Sequence, residues 1–248
     1  MNCKNCGHFV EGNYCSNCGQ SANVGRFNLS DFLNDFSESI FQINRGLLFT
    51  VKELFVRPGL SIREFLDGKR QSHFKPMGYV LTFSALYFLI SRIVGGNTWA
   101  NDLLFGFANA ASDSEGDMKM VSLLTFLADN FSYATLLALP IFSLASYISF
   151  RKFDTNYLEH VILNSYIAGQ QAILYSVFLL LTGYANSDFL ESISVLTSVL
   201  YTFWVFWQFF STGNRIVNIL RSALTYALYL AFGVLFLTVV FVIYILTV

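Results

Sequence analysis

The sequence predicts an all-α membrane protein: about five transmembrane helices, preceded by amphipathic juxtamembrane helices and a small N-terminal zinc knuckle. Three observations carry this. Hydrophobic residues make up 54% of the chain and charged residues 12%, about half the charged share of an ordinary globular domain. All four cysteines fall within the first eighteen residues, in two CxxC pairs. Between the polar head and the apolar remainder lies Arg57–Pro76, RPGLSIREFLDGKRQSHFKP, where positive charge is concentrated. The net charge of −1 gives no general attraction to nucleic acid or to acidic partners.

Residues 1–27 form the head. Its pattern is Cys3-x-x-Cys6-Gly7 and Cys15-x-x-Cys18-Gly19-Gln20. Each CxxCG makes a tight turn whose two sulfurs reach one metal, with glycine taking the positive φ. Thiolates from Cys3, Cys6, Cys15 and Cys18 would close the shell of a tetrahedral Zn²⁺, leaving no position for water, so the site reads as structural. The competing reading is a redox dithiol, which lacks its usual βαβ setting here. No cysteine remains for a disulfide framework, so a reducing compartment is expected. Gly12-Asn13 reads as a hairpin turn between the pairs, with Phe9 and Tyr14 covering the metal and His8 on the surface. So small a head needs the metal for its folding free energy. Lys4 and Arg26 are its only basic residues, which argues against nucleic acid and for a docked protein or a purely structural role.

Residues 28–76 read as cytosolic juxtamembrane helices. Asn28 or Ser30 caps the first, with Asp31 in its first turn. Leu29, Phe32, Leu33, Phe36, Ile40, Ile43, Leu47, Val51, Leu54 and Phe55 recur at helical spacing, opposite Asp35, Glu38, Asn44, Arg45, Lys52 and Glu53. Such a stripe either lies in the headgroup plane or packs beneath the membrane helices. Gly46 is a candidate break. Beyond Pro58-Gly59, Ser61-x-x-Glu64 reads as a capping box, Arg63 and Asp67 as a pair, and Gly68 as a left-handed stop. Lys69, Arg70, His73 and Lys75 then lead to Pro76. This collar suits an anionic inner leaflet. The bland reading is a topology anchor. The sharper one is that Arg57, Arg63, Lys69 and Arg70 converge on a phosphate-bearing ligand or lipid headgroup.

Residues 77–248 hold the spans, at about 77–94, 131–150, 158–182, 189–211 and 223–248. With the head inside, nine Lys/Arg precede Pro76 on the cytosolic side, joined by Arg151, Lys152, Arg215 and Arg221. The other side holds Arg92 and Lys119 with most of the remaining acidic residues. The positive-inside rule therefore predicts a cytoplasmic N-terminus and an external C-terminus. The N-terminus also lacks a basic patch followed by an apolar run, so the head is expected in the cytosol. In the external loop, residues 99–111 and 118–127 read as short interfacial helices. Pro140 is expected to kink the second span. The fifth span is apolar throughout and expected to face lipid.

The third span carries the polar residues Glu159, His160, Asn164, Gln170 and Gln171. His160, Asn164, Ala168 and Gln171 share a helical face. Polar side chains inside a bilayer usually face the bundle interior. They either glue the helices or line a polar path with Glu159 and His160 at its cytosolic mouth. Ser192, Ser194, Thr197, Ser198, Thr202 and Gln208 of the fourth span can face them, and Trp204 and Trp207 fit an aromatic belt. The chain has no P-loop, GxSxG or HExxH motif, and no catalytic residue is assigned.

In combination these residues resemble an uncharacterised family of bacterial multi-pass membrane proteins. The shared features are the CxxC and YCxxCGQ of residues 3–20, the Thr50–Gly59 run ending in RPG, Gly68-Lys69-Arg70, Pro76 and the Glu159-His160 step. The resemblance implies the fold and an inner-membrane location and carries no activity. The function expected is that of a membrane-anchored adaptor or regulator whose structural zinc head docks a cytosolic protein. The alternatives are a small transporter or channel with a polar route along spans three and four, and a lipid-acting enzyme, for which no motif speaks. Partners are thus the lipid bilayer, a cytosolic protein and further copies of the chain. The small number of spans and the absence of an internal repeat count against alternating access.

Overall fold

The structure is a computed structural model and describes residues 1–29, 46–94, 131–185 and 188–247. The expected stripe positions from Phe32 to Ile43, Asp31, and both loop helices lie outside the described residues. The described chain is a small cysteine head followed by helices: α1 (Gly46–Val56), α2 (Pro58–Asp67), α3 (Pro76–Val94), α4 (Phe131–Ser149), α5 (Tyr157–Ala185), α6 (Asp188–Phe209) and α7 (Arg215–Thr247). No strand occurs among the described residues.

Among the described residues, four helical segments are long and apolar enough to cross a membrane: Pro76–Val94, Tyr157–Gly183, Ser192–Phe209 and Arg215–Phe236. Ala138–Ser149 within α4 is a shorter apolar stretch. The last apolar segment starts earlier than the expected 223, because α7 is already helical from Arg215. Its first turn is held by Asn218, whose amide donates to the carbonyls of Phe210 (2.7 Å) and Thr212 (3.1 Å). Pro140 lies inside an unbroken α4, and Tyr157 donates to its carbonyl oxygen at 3.2 Å.

α5 is the hub. It packs most extensively on α3 and also against α4 and α6, while α7 touches α4 and α6 from outside. The main core gathers Leu54 of α1, Ile62 and Phe65 of α2, Tyr79 of α3, Ile162 to Ile167 of α5 and Tyr201 to Phe210 at the end of α6. It is therefore concentrated near one end of the bundle, where α1, α2 and the head meet the spans. Phe150 stacks on Phe210 at 3.9 Å there.

Two local expectations are corrected. The Ser61–Glu64 capping box does not form: Pro58, with φ already fixed for helix, starts α2, and Arg57 is its N-cap without a side-chain cap. Ser61 is instead buried inside the helix. The Arg63–Asp67 pair is replaced by a reach to the segment just after α6, where Arg63 donates to Ser211 Oγ at 3.0 Å. Gly68 does end α2 in the left-handed region (φ 118°), with Gly68 N–H and Lys69 N–H closing on Phe65 and Glu64 carbonyls.

Candidate metal centre and its dock on the bundle

The head is two copies of one turn, offset by twelve residues. In each copy a glycine N–H closes on the first cysteine carbonyl: Gly7 on Cys3 (2.9 Å) and Gly19 on Cys15 (2.8 Å). Both glycines have φ 75°, a conformation in which a side chain would be strained. The flanks pair within each copy, Asn2 with Phe9 and Tyr14 with Ser21. This corrects the hairpin expected at Gly12-Asn13, which merely links the two halves. Phe9 and Tyr14 are 60% and 69% exposed, so they do not cover the sulfurs. Alternation explains this: the bridged residues turn outward while Val10, Cys3, Cys15 and Cys18 turn inward.

The thiol sulfurs of Cys3, Cys6, Cys15 and Cys18 all lie within 4.8 Å of one another. Cys3–Cys18 and Cys6–Cys15 are separated by 3.6 and 3.5 Å. A tetrahedral metal–thiolate site has sulfurs about 3.8 Å apart for a metal–sulfur bond of about 2.3 Å. The arrangement thus fits one tetrahedral ion. The Cys6 thiol is lowered to about 6, chiefly by the His8 backbone N–H and then by the Asn17 side chain. Burial raises Cys18 to about 12.

The head is fastened to the bundle by residues whose roles were not assigned from sequence. Gln20, 4% exposed, donates to the Gly68 carbonyl at 2.8 Å and accepts from the N–H groups of Arg70 (3.0 Å) and Gln71 (3.1 Å). One side chain thus satisfies the open backbone of the turn after α2. Lys4 donates to the Val24 carbonyl, and Asn5 accepts from Ser72. Arg26 then reaches across to α5, donating from Nε to Glu159 Oε1 at 2.8 Å and from Nη2 to Oε2 at 3.1 Å, with Asp154 beside it. Glu159 simultaneously caps α5: Asn156 N–H donates to it at 2.8 Å, and Glu159 N–H donates to Asn156 Oδ1 at 2.9 Å. The Asn156-x-x-Glu159 spacing was the available sequence signal. Phe27 follows Arg26 into the core, stacked on Phe65 and covered by the Arg70 guanidinium.

The four collar cations go to different places. Arg57 pairs with Glu53 and Glu64, and Lys69 also with Glu64 (3.3 Å). The Arg57 hydrogen bond holds Glu64 below the usual carboxylate range. Arg63 donates to Ser211 over the Phe209 ring, and Arg70 donates to the Gly25 carbonyl and covers Phe27. His73 is buried and held by Ser61 (2.9 Å) and the Lys69 carbonyl (2.8 Å). Burial lowers it from 6.5, partly opposed by its bond to Lys69.

The polar residues of α5 are divided among three neighbours. His160 bonds Ser146 of α4 (2.9 Å) and Thr155 (3.0 Å), and Asn164 donates to Ser143 (3.3 Å) and Ser146 (2.9 Å). Gln171 donates instead to α6, to the Ser198 carbonyl and Thr202 Oγ1 at 3.0 and 2.9 Å. Gln170 accepts from Tyr79 of α3. Gln208 of α6 turns away from this set to accept the Gly59 N–H. Trp204 and Trp207 are part-exposed on α6.

A family model described as "Protein of unknown function (DUF3667)" matches residues 44–88, the segment holding α1, α2, the collar and the first part of α3. No curated protein and no solved structure matches the chain.

Proposed function

We propose that this is a membrane-anchored adaptor or regulator whose cysteine head carries structural zinc and presents a docking face to a protein partner on the head side of the bundle. The observation that carries the reading is the division of the head into two sides. Gln20, Asn5, Arg26 and Phe27 are committed to the bundle. Met1, His8, Phe9 and Tyr14 are exposed, which places apolar and aromatic groups where binding surfaces concentrate them. Four thiolates with no fifth donor suit an ion that holds shape and performs no chemistry. The transport reading is less favoured, because His160, Asn164 and Gln171 are spent on hydrogen bonds to neighbouring helices. The collar cations are likewise spent within the protein, so the headgroup reading rests on whatever exposed charge they retain.

A photo-crosslinking side chain in place of Tyr14, in the full-length protein in native membranes, tests the reading. One reproducible protein adduct, lost in Cys6→Ser, is expected. No adduct, or the same adduct with Cys6→Ser, would sink it. Metal analysis of the purified protein should return about one zinc per chain, falling to background in Cys6→Ser. Iron in its place would overturn the zinc assignment.

A further inference from the structure

The outward face of α1 is apolar and exposed among the described residues, although the Phe49 ring also meets His73 edge-on at 5.3 Å. Leu48 and Val56 are 81% and 63% exposed, and Phe49, Phe55 and Leu60 of α2 are also exposed. The inward face carries Thr50 and Leu54, both buried. Expected alike from the helical stripe, Leu54 and Phe55 are thus parted, Leu54 inward and Phe55 outward.

The depth of this helix can be read against the spans. At its start, Gly46 lies against the backbone of residues 72–74, and Thr50 Oγ1 accepts the Phe74 N–H at 2.8 Å, just before α3 begins. Near its end, the Leu54 carbonyl accepts from Tyr201 Oη at 3.0 Å. Tyr201 is eight residues before Phe209, the last residue of the α6 span, or about 12 Å at the helical rise. It is also one turn further into that span than Trp204, where aromatic belts mark the interface. α2 starts beside Val205–Phe209 and runs back out, Arg63 meeting Ser211. The two helices therefore form a hairpin whose corner, Val56 to Gly59, enters the bundle from the head side.

Charge at that corner is self-neutralised. Glu53, Arg57, Glu64 and Lys69 form one connected network of two acids and two bases. A neutral, mutually paired set costs far less at a membrane boundary than isolated ions. Lys52, the one charge on the outward strip of α1, has a stem long enough to reach the headgroups.

We propose that α1 and the α1–α2 corner are inserted among the lipids of the membrane that the spans cross, with Leu48, Phe55, Val56 and Leu60 touching acyl chains. The hairpin is then a re-entrant element, apolar outside and anchored inside by Tyr201, Thr50 and Gln208. This rests on the four apolar helices crossing a membrane, which a separate arm of the test reports.

The test places a benzophenone side chain at Val56 or Phe55 in the full chain, reconstituted in nanodiscs of phosphatidylethanolamine and phosphatidylglycerol. Leu224 on α7 serves as the span control and Glu11 in the head as the water control. After illumination, intact mass reports lipid adducts. Yields at Val56 and Phe55 comparable with Leu224, and several-fold above Glu11, are expected. Yields at the Glu11 level while Leu224 labels would overturn the insertion. Adducts to a second copy of the chain would overturn it too. Failure of Leu224 itself would refute the membrane-spanning reading beneath it.

Discussion

α5 and α7 are both long, apolar helices, and they do opposite jobs. Half of α5's most apolar window is buried in protein, against 11% of α7's. α5 carries His160, Asn164, Gln170 and Gln171, each bonded to another side chain or helix. α7 turns Leu220, Leu224, Leu230 and Val234 outward and spends Thr238 on its own backbone. In a bilayer, apolarity alone does not hold helices together, because lipid is as apolar as leucine. Position in the bundle is therefore set by polar and small residues, and those of α5 bond to three neighbouring helices.

The contrast breaks most visibly at glycine. Gly169 of α5 lies so close to Tyr79 that an added Cβ would meet the ring, whereas Gly233 of α7 has nothing within 4 Å. Gly169→Leu is expected to cost more than the ~1–3 kcal/mol of ordinary overpacking, and Gly233→Leu less than about 0.5 kcal/mol. Unfolding midpoints in one detergent compare them directly. Equal midpoints would remove α5 from the centre of the bundle.

Next in size is Arg26→Ala. It leaves Glu159, with a side chain 10% exposed, without its cation, and should cost about 1.5–3 kcal/mol. Arg215→Ala near the start of α7 removes an exposed bond to the Trp207 carbonyl and a guanidinium lying over the Trp207 ring, and should cost below about 1 kcal/mol. Amide exchange in residues 1–27 should rise for the first variant alone.

A pH effect is expected from the collar that packs beside the hub. His73 has its folded pKa lowered from 6.5 by burial, with Glu53 and Glu64 favouring its proton and Arg57 opposing it. Below pH 6.5 the unfolded chain binds a proton that the folded chain refuses. Stability is thus full above that pH and falls as pH drops towards the lowered value, by at most about 1.4 kcal/mol per pH unit. His73→Gln should flatten the decline in a thermal-unfolding series. A slope unchanged by that substitution would assign the decline to another group. Smallest is Asn164→Leu, expected to cost about 0.6–1 kcal/mol, while Thr238→Val on α7 should be neutral in the same assay.

Apolar length, cysteine spacing and the Gly68 stop were legible because each is a local signal with one physical meaning. The same residues announced a metal-sized cluster before any geometry was available. What stayed hidden is long-range. Ser61 and Glu64 read as a capping box, but Pro58 starts the helix three residues earlier and frees Ser61 for His73. His160, Asn164 and Gln171 read as one stripe, but neighbouring helices on two sides divide it. Arg26 counted only as one of the two basic residues of the head. Its partner lies 133 residues away, and no spacing rule connects such a pair. Gln20 stood inside a recognisable motif and still had no role until the turn after α2 was seen against it.

The Arg26–Glu159 bond also has a consequence for the order of biosynthesis. The head leaves the ribosome first, and its four cysteines and the backbone bonds that close their turns all lie within its first twenty-two residues. Gln20 meets its turn about fifty residues later, at Gly68. Glu159 is made 133 residues after Arg26, a delay of roughly 7–27 s at about 5–20 residues per second. During that interval Arg26 has no Glu159 to pair with. Ribosome-stalled chains ending before residue 154 should therefore show a protected metal site but rapid proteolysis around Val24–Arg26. Chains extended past α5 should lose that cleavage. Cleavage that persists in the finished protein would mean the last fastening never closes.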